Sequence, residues 1–535
     1  MMREFAVLPY RLFAVVVIAI FASSHSSADE WKKAVEYYEG KGGSLKLDDF
    51  FPEPVPDDQN FAAIDILRGI TIPDGVKHAS GIDGEKVREQ AGKFKSTLLD
   101  KMFEDGSTEY PRLAKGPLNF TPIDLSLWAD LDKNGREAYK ADLFRPMLAK
   151  KILKNLDSEL GKHFEQMDAA LDRPHSIYAP SYLEFFDRLV PSLNYFPHST
   201  AVIALTEICG LRAVAAVYSD QPDVALKSIR AMLRIIEAES QCSPNLLKFL
   251  VFNTCFAYVT KSTWEGLYKR SFDDETLTLL QRKFGETDAF KQFAWSVRGE
   301  ASYLSLMDYE DLDAARAKTL EAMSLLLKEL DEPGIEKGEG LDKDLMPSDL
   351  FTKEQFDAAR AYSLRTYYDQ VIVPLERGNA AALLKSTGEL KRMSRELDAD
   401  EKAIAADPML EAKKMMFILE GISRNAIILQ AQLVFIETSC ALERYYLKHK
   451  SYPKDLTALV PDYLDELPLD PLDQKTLRYQ LTDDGRYQLH SIGFDMIDSG
   501  GKVRARLVHD FEIKEEDKDK GDWVWSYSKA EDPDS

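Results

Sequence analysis

Acidic side chains and a glycine between Asp130 and Gly135 form a pattern that begins like a metal-binding loop. An EF-hand loop places oxygen ligands at positions 1, 3 and 5, glycine at position 6 and a bidentate glutamate at position 12. Asp130, Asp132, Asn134 and Gly135 fit the first four requirements, but position 12 falls on Ala141. Because the bidentate ligand is missing, the pattern favours a turn followed by a helix cap.

Local signatures of catalysis are absent from the sequence. None of the eight histidines pairs as HExxH or HxH, so no zinc-hydrolase motif is present. The chain also lacks a GxSxG elbow, a phosphate loop and a strand followed by GxGxxG. The sequence therefore predicts no cofactor-binding motif, and the catalytic residues of any enzyme here would have to assemble from distant positions.

The four cysteines leave two interpretations open. Cys209, Cys242 and Cys255 lie in one dense helical stretch, Cys440 lies far from them, and no CxxC pair exists. All four are buried thiols in one interpretation. In the other, one disulfide joins two of the first three cysteines, as an oxidising compartment outside the cytoplasm would allow.

The charge balance narrows the class of partner. The chain carries 68 basic and 90 acidic residues, a net charge of −22. Such a field repels nucleic acid and anionic lipid headgroups. We therefore expect no nucleic-acid partner.

The first 28 residues have the pattern of a secretory signal. Arg3 and Arg11 precede an apolar run, Leu12 to Ala22, and small residues precede a cleavage site after Ala28. The run is shorter than the roughly 20 residues that span a bilayer. The sequence thus predicts export to the periplasm or the extracellular space, and no later segment is predicted to cross a membrane as a helix.

Helical periodicity dominates most of the remaining chain. Residues 29–122 read as a loop-rich wrap with short helices, and residues 123–430 as a helical body. Gly and Pro together make up only 51 of 535 residues, which also favours long helices. The spacing predicts a capped helix start at Thr352 and a last helix from about Asp407 to His449 that breaks near Gly421.

Two neighbouring helices in the body each carry a stripe of apolar residues spaced three or four positions apart. The first contains Val202, Leu205 and Ile208, and the second contains Ile229 and Leu233. The turn between them, residues 218–223, resembles the bend of a tetratricopeptide-type helical hairpin. A second copy at a 34-residue period is not found, so a regular solenoid is not predicted.

After His449 the pattern changes to strands. Leu477, Tyr479 and Leu481 alternate with polar residues, a turn follows at residues 483–485, and alternation resumes from Tyr487. Alternation with period two around Asp-Asp-Gly predicts a β-hairpin.

Ordered landmarks in this region resemble the globular part of type II secretion major pseudopilins. The landmarks span residues 433–527, and they are Tyr452-Pro453, Leu459-Val460, Tyr463-Leu464, Leu467 to Pro471, Leu477-Arg478-Tyr479, Ser491 to Asp495 and Gly521-Asp522-Trp523. The resemblance implies a small α+β domain with an antiparallel sheet at residues 431–528, followed by an acidic tail at 529–535.

Two features depart from that family. The chain has an ordinary signal and some 400 residues before the module, and the preceding helix carries Glu420 and Arg424 instead of an apolar membrane stem. The resemblance therefore implies the fold of the module, as a cap on a helical protein, and not assembly into a pseudopilus.

Calcium binding enters only through this resemblance. The family's loop between late strands binds Ca²⁺, and Asp495 and Asp498 stand where ligands would lie, with Asp510 as a third. The alternative is that these aspartates are turn residues flanking Gly500-Gly501.

The sequence thus predicts a mainly α protein, an irregular multi-helix array, with a small C-terminal α+β module. Its predicted function is that of an exported, non-catalytic helical scaffold or binding protein whose partner is an envelope protein or polymer. The alternatives are a secreted hydrolase with its active site in the helical body, and an accessory protein of a type II secretion or pilus system.

Overall fold

The computed structural model describes residues 28–71, 120, 122–128, 142–178, 195–241, 244–306, 352–397, 408–502 and 520–527. Over these residues the protein is mainly helical, with a small three-stranded antiparallel sheet near the C-terminus, which confirms the predicted fold class. The predicted signal, apart from Ala28, and the acidic tail lie outside the described residues.

The helices of the described chain are named in order. They are α1 (Ala28–Glu39), α2 (Asp65–Thr71), α3 (Arg145–Ala170), α4 (Tyr195–Tyr218), α5 (Pro222–Gln241), α6 (Leu246–Lys269), α7 (Asp274–Gly285), α8 (Ala289–Leu306), α9 (Lys353–Thr366), α10 (Val373–Glu376), α11 (Ala380–Glu396), α12 (Pro408–Met415) and α13 (Phe417–His449). The strands are β1 (Arg478–Leu481), β2 (Tyr487–Ser491) and β3 (Trp523–Ser526).

Helices α4, α5 and α6 pack on one another and form the centre of the helical body, with α3 against α4. The bend between α4 and α5 falls where the sequence predicts it. The amides of Ser219 and Gln221 both donate to the carbonyl of Ala216, and Asp220 takes a left-handed conformation with φ 55°. Pro222 then begins α5, because its missing N–H is not needed in a first helical turn.

A capping box begins α9, as predicted at Thr352. The Thr352 side chain accepts from the backbone of Gln355, whose own side chain reaches back to the Thr352 amide. The helix then widens into a π-helical segment, Tyr367–Ile372, just before Pro374. Since proline has no N–H, the carbonyl four residues earlier needs another donor. The Ser386 hydroxyl supplies it, at 2.6 Å from the carbonyl oxygen of Gln370.

The long helix α13 packs against α6, α7, α8 and α11. The predicted break at Gly421 is not observed, because α13 continues through that residue. The interruption lies at Met416, between α12 and α13. Near the break the Ser394 hydroxyl of α11 donates to the carbonyl of Lys414 at 2.8 Å, so the interruption coincides with a contact from another helix and not with a glycine.

The predicted β-hairpin is confirmed. Strands β1 and β2 pair antiparallel from Arg478 with His490 to Leu481 with Tyr487, and Gly485 in the turn has φ 74°. Strand β3 pairs with the other edge of β2, with Leu489 opposite Trp525. Every residue of β2 is buried, including the polar ones that the alternation placed towards solvent.

The sheet and the helical body share one hydrophobic core. The Trp264 side chain on α6 is fully buried, and its indole Nε1 donates to the carbonyl of Ser526 at 3.3 Å. Its ring stacks on Tyr268 and on Tyr527, with centroids 5.1 and 5.9 Å apart. The module is therefore joined to the body by packed aromatic rings as well as by α13.

Asp273 caps α7, and its replacement by alanine tests this local signal. Its carboxylate accepts from the amide of Thr276 at 2.9 Å, and these hydrogen bonds lower its pKa. We expect Asp273→Ala to lower the free energy of unfolding by about 1 kcal/mol at neutral pH.

The pH dependence of that loss identifies its cause. A lowered pKa stabilises the folded state above the unfolded pKa near 3.8, and this is lost as pH falls through the folded value. Urea unfolding between pH 7 and pH 3 should therefore show the difference shrinking. Asp273→Asn, which keeps the acceptor, is the control, and a loss as large as that of alanine would contradict the cap.

Candidate functional site

The loop from Gly493 to Gly501 connects β2 towards β3 and folds over the sheet. Gly493, Gly500 and Gly501 have φ values of 65°, 70° and 72°, a region that favours glycine. At Gly501 a Cβ atom would lie 2.0 Å from Nε2 of Gln488, so any other residue would have to displace that amide as well as adopt a strained φ. This close approach explains why the polar residues of β2 are buried.

Three potential metal ligands converge at the loop. One ligand atom each from His490, Asp498 and Asp522 lies within 4.8 Å of the others. Nε2 of His490 is 3.1 Å from Oδ1 of Asp498 and 4.0 Å from Oδ2 of Asp522. His490 and Asp522 are buried, whereas Asp498 is exposed at the edge of the loop.

The aspartates predicted as calcium ligands have other partners. The Asp495 carboxylate accepts from the amides of Ile497 at 3.0 Å and Gly521 at 2.8 Å. Asp495 does not belong to the group of converging ligands found among the described residues, and Asp510 lies outside those residues. Only Asp498 of the predicted set takes part in that group.

Among the residues that the structure describes, the donor set at this loop does not fit a calcium ion. Ca²⁺ takes six to eight oxygen ligands, but one of the three converging groups is an imidazole nitrogen. Oδ2 of Asp498 accepts from Nε of Arg478 at 3.2 Å, which places a guanidinium cation beside the same carboxylate. The Gly500 amide, the His490 ring and that guanidinium hold the pKa of Asp498 below its usual range.

Asp470 was not among the predicted site residues, although it lies at the centre of this network. Its fully buried carboxylate accepts from the Ser491 hydroxyl, the amides of Leu472 and Ile492, and Nη1 of Arg478. Burial raises its pKa despite these donors. The Asp470-Pro471 pair was visible in the sequence, but nothing in its spacing shows that Arg478 meets it.

A second arrangement lies in the helical body, around Glu265 of α6. Its carboxylate is fully buried and accepts from the Tyr218 hydroxyl at 2.8 Å and from Nζ of Lys261 at 3.1 Å. Burial raises the pKa of the Tyr218 phenol and lowers that of the Lys261 ammonium. Tyr218 is therefore a neutral hydrogen-bond donor at physiological pH.

The third donor to Glu265 comes from an extended segment of the chain. The backbone amide of Ile123 donates to Oε1 of Glu265 at 2.7 Å. Upstream, the Phe120 ring packs between Trp264 and Trp525, with centroids 6.3 and 4.5 Å away. We call Tyr218, Lys261, Trp264, Glu265 and Trp525 the Glu265 cradle, and Phe120 with residues 122–128 the cradle segment.

The segment is held mainly by apolar burial. Its buried anchors are Phe120, Ile123, Leu125 and Trp128. Helix α3 packs on its single 3₁₀ turn, Leu125–Leu127. Aromatic faces, one buried acceptor and apolar contacts with helices therefore hold the cradle segment in place.

The other sequence candidates have simpler outcomes. Cys209, Cys255 and Cys440 are buried free thiols in the structure, and Cys242, the remaining candidate for a disulfide, lies outside the described residues. Burial raises the pKa of all three thiols, which disfavours the reactive thiolate. The EF-hand-like pattern at residues 130–141 also lies outside the described residues.

No protein-family model, curated protein or solved structure matches this chain. The pseudopilin resemblance therefore stays a prediction. Among the described residues, two helical segments are long and apolar enough to cross a membrane, Ala201–Tyr218 and Pro408–His449. In the fold they are 89% and 78% buried, as the core helices of a soluble protein would be, so the prediction about membrane spans also stays open.

Proposed function

We propose that this chain is an exported, non-catalytic helical binding protein of the cell envelope, with a pseudopilin-like C-terminal module as part of its framework. The signal pattern of residues 1–28 supports export. The net charge of −22 disfavours nucleic acid as the partner.

The Glu265 cradle is the observation that carries the binding role. Its occupant, the cradle segment, is an irregular stretch of chain. It is held by buried apolar anchors and by one hydrogen bond from a backbone amide to a buried carboxylate. The chemistry of the cradle fits an extended peptide with an aromatic anchor three residues before a β-branched one. The partner we propose is a protein segment of that kind.

The same cluster could also be interpreted as the active site of a hydrolase, because the cluster contains a buried carboxylate beside a lysine and a tyrosine. Each of these side chains is engaged, however. Glu265 accepts from Tyr218, Lys261 and the Ile123 amide, and Nζ of Lys261 also lies 4.6 Å from the ring centroid of Trp264. These contacts fix the Glu265 carboxylate against the Ile123 amide, which is the role that the binding proposal gives it. The accessory-protein alternative depends only on the resemblance of the module.

A competition experiment tests the binding role. Phe120→Ala with Ile123→Pro removes the aromatic anchor and the amide that donates to Glu265. A labelled peptide that copies residues 118–130 should bind this double variant at least about tenfold more tightly than the wild type, whose tethered segment competes at a high effective concentration. Fluorescence anisotropy measures both affinities.

The controls separate this function from its alternatives. A peptide with alanine in place of its phenylalanine and isoleucine should not bind, and circular dichroism should show unchanged helix content in the variant. Absence of peptide binding to a folded variant would contradict the proposal. Hydrolysis of generic ester or peptide substrates that Glu265→Gln abolishes would favour the hydrolase. Fractionation of cells that express the chain with and without residues 1–28 tests export.

A further inference from the structure

We propose that Arg478 is the built-in cation of the C-terminal module: its guanidinium holds together the acidic loops that a bound calcium ion would otherwise join, so the module closes without calcium. This inference is independent of the binding role proposed above. It rests on the partners of Arg478 and on the direction in which the Gly493–Gly501 loop points its backbone amides.

The guanidinium contacts three carboxylates from two loops. Nη1 donates to Asp470 at 2.8 Å and to Asp473 at 3.1 Å, and Nη2 donates to Asp473 at 2.5 Å. Nε donates to Asp498 at 3.2 Å. One planar cation thus joins the Asp470–Asp473 turn to the Gly493–Gly501 loop. Its contact with Asp473 is bidentate, a geometry that suits arginine and not lysine.

The contacts of Arg478 with Asp470 and Asp473 are largely shielded from water, whereas the Asp498 side chain is 44% exposed. The Arg478 side chain is 17% exposed, while the side chains of Asp470 and Asp473 are 0% and 12% exposed. An ion pair at such a site is screened little by salt, and removal of one partner leaves a buried charge. Removing Arg478 should therefore lower the stability of the module more than breaking an ordinary surface ion pair does.

The later loop is closed by a carboxylate at its centre. Oδ2 of Asp522 accepts from the Ser499 hydroxyl at 2.6 Å and from the amides of Ser499 and Gly501 at 3.1 and 2.6 Å. Consecutive left-handed residues, Gly500 and Gly501, turn these amides inward. Such a nest of N–H groups is an anion site, whereas a loop that wraps a metal ion points oxygens inward.

The experiment compares the full chain, without its signal, in calcium and in chelator. Thermal unfolding of the wild type should give the same midpoint, within about 1 °C, in about 5 mM CaCl₂ and in EGTA, a calcium level that saturates weak extracellular sites. Arg478→Gln should lower the midpoint by at least about 3 °C, and Arg478→Lys should restore only part of that loss.

Calcium should then act on the variant alone. With the guanidinium removed, Asp470, Asp473 and Asp498 lack their shared cation, and millimolar Ca²⁺ should recover part of the lost midpoint of Arg478→Gln. The matched control is Lys475→Gln, which removes an equal charge near Asp473. Because Lys475 is 77% exposed and 3.8 Å from that carboxylate, its loss should shift the midpoint by less than about 1 °C.

Two results would overturn the proposal. One is calcium binding to the wild type, seen by calorimetry as a saturable isotherm or as a midpoint that drops in EGTA. The other is an Arg478→Gln variant as stable as the wild type. If that variant fails to fold, calorimetry on the wild type and the partial rescue by Arg478→Lys still decide the question.

Discussion

Replacing Trp264 by alanine is expected to lower the free energy of unfolding by about 3–5 kcal/mol, the usual cost of removing a large buried aromatic side chain. The indole is fully buried and contacts both the cradle segment, through Phe120, and the module, through Tyr527 and the carbonyl of Ser526. Urea unfolding followed by circular dichroism and by tryptophan fluorescence measures the loss.

The Trp264→Ala prediction has a second part, which concerns cooperativity. Since the core is continuous across the junction, both probes should report one transition in the wild type and separate transitions in the variant. Trp264→Phe is the control, because it keeps an aromatic ring and removes the hydrogen bond, at a cost of about 1–2 kcal/mol. A Trp264→Ala variant within about 1 kcal/mol of the wild type would contradict the proposed junction.

Breaking the Lys248–Glu239 ion pair is expected to cause the second large loss in the free energy of unfolding. Both side chains are 1% exposed, and the pair joins α6 to α5 in the core of the helical body. Lys248→Met should cost about 3–5 kcal/mol, because it leaves the Glu239 carboxylate in the core without its ammonium partner.

The double variant shows whether the loss of stability comes from the missing contact or from the unpaired buried charge that Lys248→Met leaves. Lys248→Met with Glu239→Gln should recover most of the loss, since neither member of the pair then carries a charge. Urea unfolding of the wild type, both single variants and the double variant completes the cycle. Lys283→Met is the control. It breaks an exposed pair with Glu286 at 3.0 Å and should cost less than about 0.5 kcal/mol. Additive losses at Lys248 and Glu239 would contradict the argument.

Local signals in the sequence were sufficient for the fold class. The cap at Thr352, the bend before Pro222 and the Asp-Asp-Gly turn of the hairpin each depend on residues within a few positions of one another. The break in the last helix was different. It was expected near Gly421 because an unbroken helix from Asp407 to His449 would be unusually long, but it lies at Met416, close to the contact between Ser394 of another helix and the carbonyl of Lys414.

The candidate sites could be predicted only in part. The resemblance pointed to the Gly493–Gly501 loop through Asp495 and Asp498, yet it did not show that Arg478 would lie against Asp498. The Glu265 cradle gave no signal at all. Its carboxylate and the Ile123 amide are 142 positions apart, and no periodicity connects an isolated glutamate on a helix with a distant loop.

The hydrogen bond between Trp264 and Ser526 joins residues 262 positions apart, and this has a consequence for how the protein reaches its native state. Long-range contacts must overcome a large loss of chain entropy before they stabilise anything, so they form late and slow the reaction. While the chain emerges from a ribosome, the Trp264 indole on α6 stays uncovered until β3 has been synthesised. The core around Trp264 is therefore complete only after β3 has emerged, and until then the exposed aromatic rings are a surface prone to aggregation.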